Sequence, residues 1–221
     1  MPRLPKGLTR FPQNVNLQVM SVIRTPEGGE VPTDFLEVER QEFINAYIKL
    51  GFHRILKLGE KEYADSFLKF SPQPESYKGR FDTPILVETR ISPFVQAKSI
   101  GLGYPLAIRG VDWEADPKGY RTPKEPYTAW IQDGTKYLGV PVAEVRKNLA
   151  DDERGATEFD SIPLYIKRGL PLLVHHSVDL PGTDFPPDFA AYLSLDCGTP
   201  GLCLSSLARP NANWGSATCG R

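Results

Sequence analysis

Apolar residues recur with helical spacing at Phe43, Ile44, Tyr47 and Ile48, on one face of a helix that Thr33 or Asp34 would cap and Gly51 would stop. The same stripe returns at Tyr63, Ala64, Phe67 and Leu68 and ends at Ser71-Pro72. Together they predict a helical hairpin, connected through Phe52, Ile55, Leu56 and Leu58, whose stripes need a sheet or other helices to cover them. Further on, Pro141 opens a short helix with Val142, Val145 and Leu149 on one face. Thr157 then caps another, with Phe159, Ile162 and Ile166 buried and Gly169 as its stop. Pro163 inside that pattern predicts a kink or a start nearer Ser161, because an interior proline costs about 3 kcal/mol.

Elsewhere the pattern changes to that of strands. Val15, Leu17 and Val19 alternate before the turn at Pro26-Glu27-Gly28-Gly29, and the β-branched stretches 84–91 and 105–111 predict two strands of one sheet. Tyr127 to Ile131 predicts another strand, turned by Asp133-Gly134. Residues 190–195 and 202–207 flank Cys197-Gly198-Thr199-Pro200-Gly201 and predict a hairpin. The expected fold is one α+β domain over residues 14–221, a mainly antiparallel sheet covered by the helical hairpin and short helices. Residues 1–13 are expected to form a flexible arm, with a soft boundary at 117–126.

Composition alters this picture in three ways. The 21 prolines among 221 residues are dispersed, so the fold should be rich in loops and short elements. The 26 basic and 27 acidic residues nearly cancel, which removes the global field that nucleic acid or an acidic membrane surface would need. No apolar run approaches the ~18 residues of a membrane span. Three cysteines, an odd number, point to a reducing cytoplasm rather than a disulfide framework.

Candidate chemistry is sparse. His175 and His176 are adjacent, so in a strand they face opposite sides and in a helix they diverge by about 100°. Ser177 and Asp179 stand near them, but no nucleophile elbow is present. His53 reads as a turn histidine. Cys197, Cys203 and Cys219 lack the close pairing of a zinc knuckle, and Gly101-Leu102-Gly103 lacks the third glycine and the helix of a dinucleotide loop. No metal or cofactor is therefore expected. Asp112, Glu114 and Asp116 around Trp113 read as a solvated rim. The helices at 141–149 and 157–169 bring too few basic residues to read DNA.

One stretch stands out at the end of the chain. Gly215-Ser216-Ala217-Thr218-Cys219-Gly220 is a run of small residues whose N–H groups are suited to an anion nest, which would acidify the Cys219 thiol. Two functions follow. The first is a non-catalytic binding or interaction protein, with a protein or small-molecule partner, binding through Trp113, Trp214, Ser216 and Thr218. The alternative is a small cysteine-dependent enzyme that uses Cys219 with His175 or His176.

Several short motifs carry a likeness: Leu50-Gly51-Phe52, Pro126-Tyr127, Thr157 opening a helix, His175-His176, Pro200 and Leu202, Pro210, and the terminal small-residue run. In this order they resemble an uncharacterised bacterial family known only as a domain of unknown function. The likeness spans most of residues 40 to 220. It implies a bacterial cytoplasmic α+β protein and carries no mechanism.

Overall fold

The computed structural model describes residues 33–104, 122–185, 188–196, 198–208 and 211–221. Four expectations lie outside them: the strand at 14–23, the strand at 105–111, the acidic alternation around Trp113, and the N-terminal arm. So do Cys197 and half of the 117–126 boundary.

The fold is α+β, with two four-stranded sheets among the described residues. Helix α1 (Thr33–Lys49) buries Leu36, Phe43, Ile44 and Tyr47 and stops before Gly51, whose φ of 80° suits a residue without a Cβ. The expected apolar connection contains a helical turn of its own, α2 (Phe52–Ile55), and the second hairpin helix is only α3 (Glu60–Asp65). Tyr63 and Phe67 still reach the core, but Leu68 is exposed, so the stripe overran the helix by one turn. Strand β1 (Thr83–Val87) is followed by α4 (Pro93–Ser99), which the strand pattern around it concealed. Its Ser92-Pro93 start is an ordinary helix opening.

Strand β2 (Tyr127–Gln132) ends as expected at Asp133-Gly134, with Gly134 at φ 100°. Helix α5 (Val142–Asn148) follows Pro141 and buries Val142 and Val145. Next come β3 (Glu153–Gly155) and α6 (Glu158–Arg168), which begins at its Thr157 cap and carries Pro163 within it. The start near Ser161 is thus corrected: the capping box of Thr157 and Asp160 anchors the helix a full turn earlier. Then α7 (Leu170–His175) leads into the long β4 (Ser177–Phe185), both absent from the expected list. The predicted hairpin is β5 (Phe189–Asp196) and β6 (Thr199–Ser206). Two short strands, β7 (Trp214–Ser216) and β8 (Thr218–Gly220), complete the chain.

The first sheet has the order β1-β2-β8-β3 and is antiparallel throughout; the second has the order β6-β5-β4-β7, with β4 and β7 parallel. The C-terminal tail therefore belongs to both sheets, with Ala217 as the junction. Its N–H donates to the Asp179 carbonyl of β4 at 2.9 Å, and its carbonyl accepts from Ala156 at 3.0 Å. The sheets also meet where Gly155 crosses Gly182. A Cβ on Gly155 would lie 2.3 Å from the Gly182 nitrogen, so only glycine permits this approach. Helix α1 and helix α6 both pack on β1, and α6 reaches β4 as well, which closes one core around Ile85, Leu86, Ile162, Val178 and Leu193.

Candidate functional site

In the second sheet, alternation separates two faces. Val178 and Leu180 of β4, with Leu193 and Ala191 opposite them, point into the core and are fully buried. Ser177 and Asp179 therefore point to the other face. Register then sets the neighbours of Asp179: Tyr192 of β5 on one side and Ser216 of β7 on the other. One step along, Trp214 pairs with Ser177, and its indole stacks on the Tyr192 ring with centroids 4.4 Å apart. Both rings are half-buried, which leaves part of each to solvent.

The polar groups between them are starved of partners. Asp179 is only 4% exposed, and burial pushes its carboxyl up to about 7. Ser216 is fully buried and its Oγ has no hydrogen-bond partner; nor does Oγ of Ser194, two residues along β5 from Tyr192. Unmet hydrogen-bonding capacity beside part-exposed aromatic rings is a common arrangement for holding a small polar ligand. This face brings together two of the residues singled out from sequence, Trp214 and Ser216.

The other singled-out residues are placed elsewhere. Thr218 faces the first sheet, where its hydroxyl donates to Glu153 at 2.6 Å and accepts from Gln132 at 3.0 Å. Glu153 also accepts from the Tyr137 hydroxyl and the Lys136 ammonium, so Thr218 belongs to a filled network. His175 is exposed at the end of α7, whereas His176 is turned to the Asp133 carbonyl at 2.9 Å. His53 is buried in α2, 3.8 Å from Glu60. Trp113 lies outside the described residues.

Cys219 requires a correction. It is fully buried on β8, paired with Arg154 of β3, and burial pushes its thiol well above the ordinary value. Arg154 pulls it down, but that cation is committed to Asp160, which raises the thiol in turn. No histidine is among the groups acting on it. The anion nest is absent for a plain reason: the tail's N–H groups are spent on strand pairing. Those of Trp214, Ala217 and Arg221 go to the carbonyls of Asn211, Asp179 and Asp152, and Thr218–Gly220 is laddered on both sides. Small residues occur here because strands and rings press close. A Cβ on Gly220 would fall 2.1 Å from the Tyr77 ring, and one on Gly215 would fall 2.2 Å from the Gly134 carbonyl oxygen.

Arg154 and Asp160 form a saturated buried pair. Two guanidinium N–H groups reach the two carboxylate oxygens at 2.7 and 2.9 Å, and Thr157 and Tyr127 donate to the same carboxylate. Burial alone would raise Asp160, but Arg154 outweighs it and holds the carboxyl below its usual range. Glu158, two residues earlier, has no such partner. Burial raises it to about 8, and both carboxyl oxygens lack a hydrogen-bond partner. The Thr183 hydroxyl tempers that rise from outside hydrogen-bond geometry.

Sequence reasoning passed over Tyr192 and noticed Asp179 only as an acid near the two histidines. The signal was present in Ser177-Val178-Asp179-Leu180, a polar and apolar alternation that marks a half-buried strand. Among the described residues, no group of His, Cys, Asp and Glu is arranged to hold a metal ion, and no helix is long and apolar enough to cross a membrane. The fold and site define an α+β protein with an aromatic and acidic patch on one sheet face. Comparison with known protein families, with curated proteins and with solved structures finds no match to this chain.

Proposed function

We propose that this is a non-catalytic binding protein whose ligand site is the outer face of the second sheet. The observation that carries the reading is the row Ser216, Asp179 and Tyr192 with Trp214 stacked beside it, in which a carboxyl and a hydroxyl without partners lie next to part-exposed rings. A fixed sheet holds these groups in place before any ligand arrives, which lowers the entropy lost on binding. The partner is a small molecule rather than nucleic acid, in keeping with the near-zero net charge. The buried, unactivated Cys219 and the half-buried Cys203 fit a protein of a reducing compartment such as the bacterial cytoplasm.

The test is a nuclear magnetic resonance titration of the whole chain with a mixed panel of neutral, anionic and cationic small molecules, following the Trp214 indole N–H. A Trp214→Phe variant assigns that signal among the three tryptophans. At least one compound class is expected to shift it saturably. If no class does so, the face is not a binding site and the reading falls.

A further inference from the structure

Resting on that reading, we infer that the ligand is a small organic cation, a primary ammonium on a short hydrocarbon stem, seated between Asp179, Ser216 and the Tyr192–Trp214 rings. Asp179 forms no ion pair with any described residue, and among the described residues no charged neighbour contributes to the environment of its carboxyl. Arg146, a cation of α5, which packs against β4, is committed elsewhere: its Nε donates to the Pro181 carbonyl at 2.9 Å and its Nη2 to the Thr183 carbonyl at 2.5 Å. A buried carboxylate without a counter-charge is costly, and a bound cation removes that cost by pairing with it.

The remaining groups favour the same ligand. Faces of Trp and Tyr rings carry negative potential and attract cations when within about 6 Å of the ring centre. Tyr192 of this row and Trp214 beside it stack on each other, with ring centroids 4.4 Å apart. The Ser216 Oγ, fully buried and without a partner, is positioned as a second acceptor beside Asp179. A primary ammonium has three N–H donors, which suits one carboxylate, one hydroxyl and a further acceptor. Its hydrocarbon stem would lie along the part-exposed rings. An anion would be repelled by Asp179, and a neutral alcohol would leave the carboxylate uncompensated.

The experiment uses the full chain with butylammonium as probe, butanol and butyrate as neutral and anionic counterparts, and tetramethylammonium as a cation without N–H donors. Butylammonium is expected to shift the Trp214 signal saturably, with butanol and tetramethylammonium roughly 10-fold or more weaker and butyrate silent. Asp179→Asn preserves shape and is expected to weaken butylammonium roughly 10- to 100-fold. Ser216→Ala, a smaller change, covers the case in which Asp179→Asn does not fold, and should weaken it roughly 3- to 10-fold. Equal binding of butanol or tetramethylammonium, or full retention of butylammonium affinity in either folded variant, would overturn the ammonium assignment. If butylammonium is silent while a neutral or anionic compound of the mixed panel binds, the sheet face stands as a site and the ammonium assignment alone fails.

Discussion

Glu158 is a carboxyl whose environment opposes its charge. It is fully buried, both oxygens lack partners, and its carboxyl is raised from 4.5 to about 8. Below pH 4.5 the folded and unfolded chains both hold the proton, so the contribution to stability is complete. Between pH 4.5 and 8 the unfolded chain releases it and the folded chain does not, so stability falls as pH rises, by up to about 1.4 kcal/mol per unit. Glu158→Gln removes this titration. Urea unfolding at pH 5 and pH 8 should show the variant gaining on the wild type by on the order of 2–4 kcal/mol across that interval. Equal pH slopes in the two proteins would contradict the assignment. Cys219 gives a second residue-scale prediction. In the native protein iodoacetamide should label the half-buried Cys203 well before the fully buried Cys219, which reacts only once the chain unfolds. Mass-spectrometric mapping of labelled peptides measures the order, and early labelling of Cys219 would restore the idea of an activated thiol.

At the scale of elements, helix α6 depends on the carboxylate of Asp160. That group closes the capping box on Thr157, holds the Arg154 guanidinium by two bonds and accepts from Tyr127. Asp160→Ala leaves Arg154, which is 2% exposed, as a buried cation without its partner. The expected cost is about 3–5 kcal/mol, read as a lowered urea midpoint at unchanged slope. A loss below about 1 kcal/mol would mean that Arg154 finds water or another acceptor, which the saturated geometry does not offer. Strand β4 shows how an element evades its own sequence. Pro181-Gly182 resembles a break, yet the strand continues, because its pairing with β5 becomes irregular between Leu180 and Phe185. There the Gly182 N–H turns to Ala156 at 2.9 Å. Gly182→Ala should therefore destabilise by about 1–3 kcal/mol or more, because its Cβ would fall 2.4 Å from the Gly155 carbonyl oxygen, and backbone cannot yield as a side chain can.

For the whole molecule, the tail is the member shared by both sheets. β8 lies between β2 and β3, β7 forms the edge beside β4, and one residue separates them. The two sheets should therefore unfold together in one transition. A chain ending at Ser216 lacks an internal strand of the first sheet, exposes two sheet edges and should lose its cooperative far-ultraviolet transition. If that truncated chain melts cooperatively near the wild-type midpoint, the two sheets are independent.

What the chain determines locally is considerable. Helices α1, α5 and α6, strands β1 and β2 and the β5–β6 hairpin are all written in periodicity, caps and turn glycines, because those signals act over a few neighbouring residues. The capping role of Thr157 was legible for the same reason. Tertiary structure alone decided the rest. The terminal small residues suggested a nest, and only strand pairing on both sides showed that their N–H groups were already used. Cys219 looked available until β8 was seen to lie buried between β2 and β3. Asp179 drew notice beside His175 and His176, yet its true neighbours are Tyr192, 13 positions along the chain by register, and Ser216, 37 positions along. No local pattern encodes such meetings: strand register brings together residues far apart in sequence, and burial then sets their chemistry.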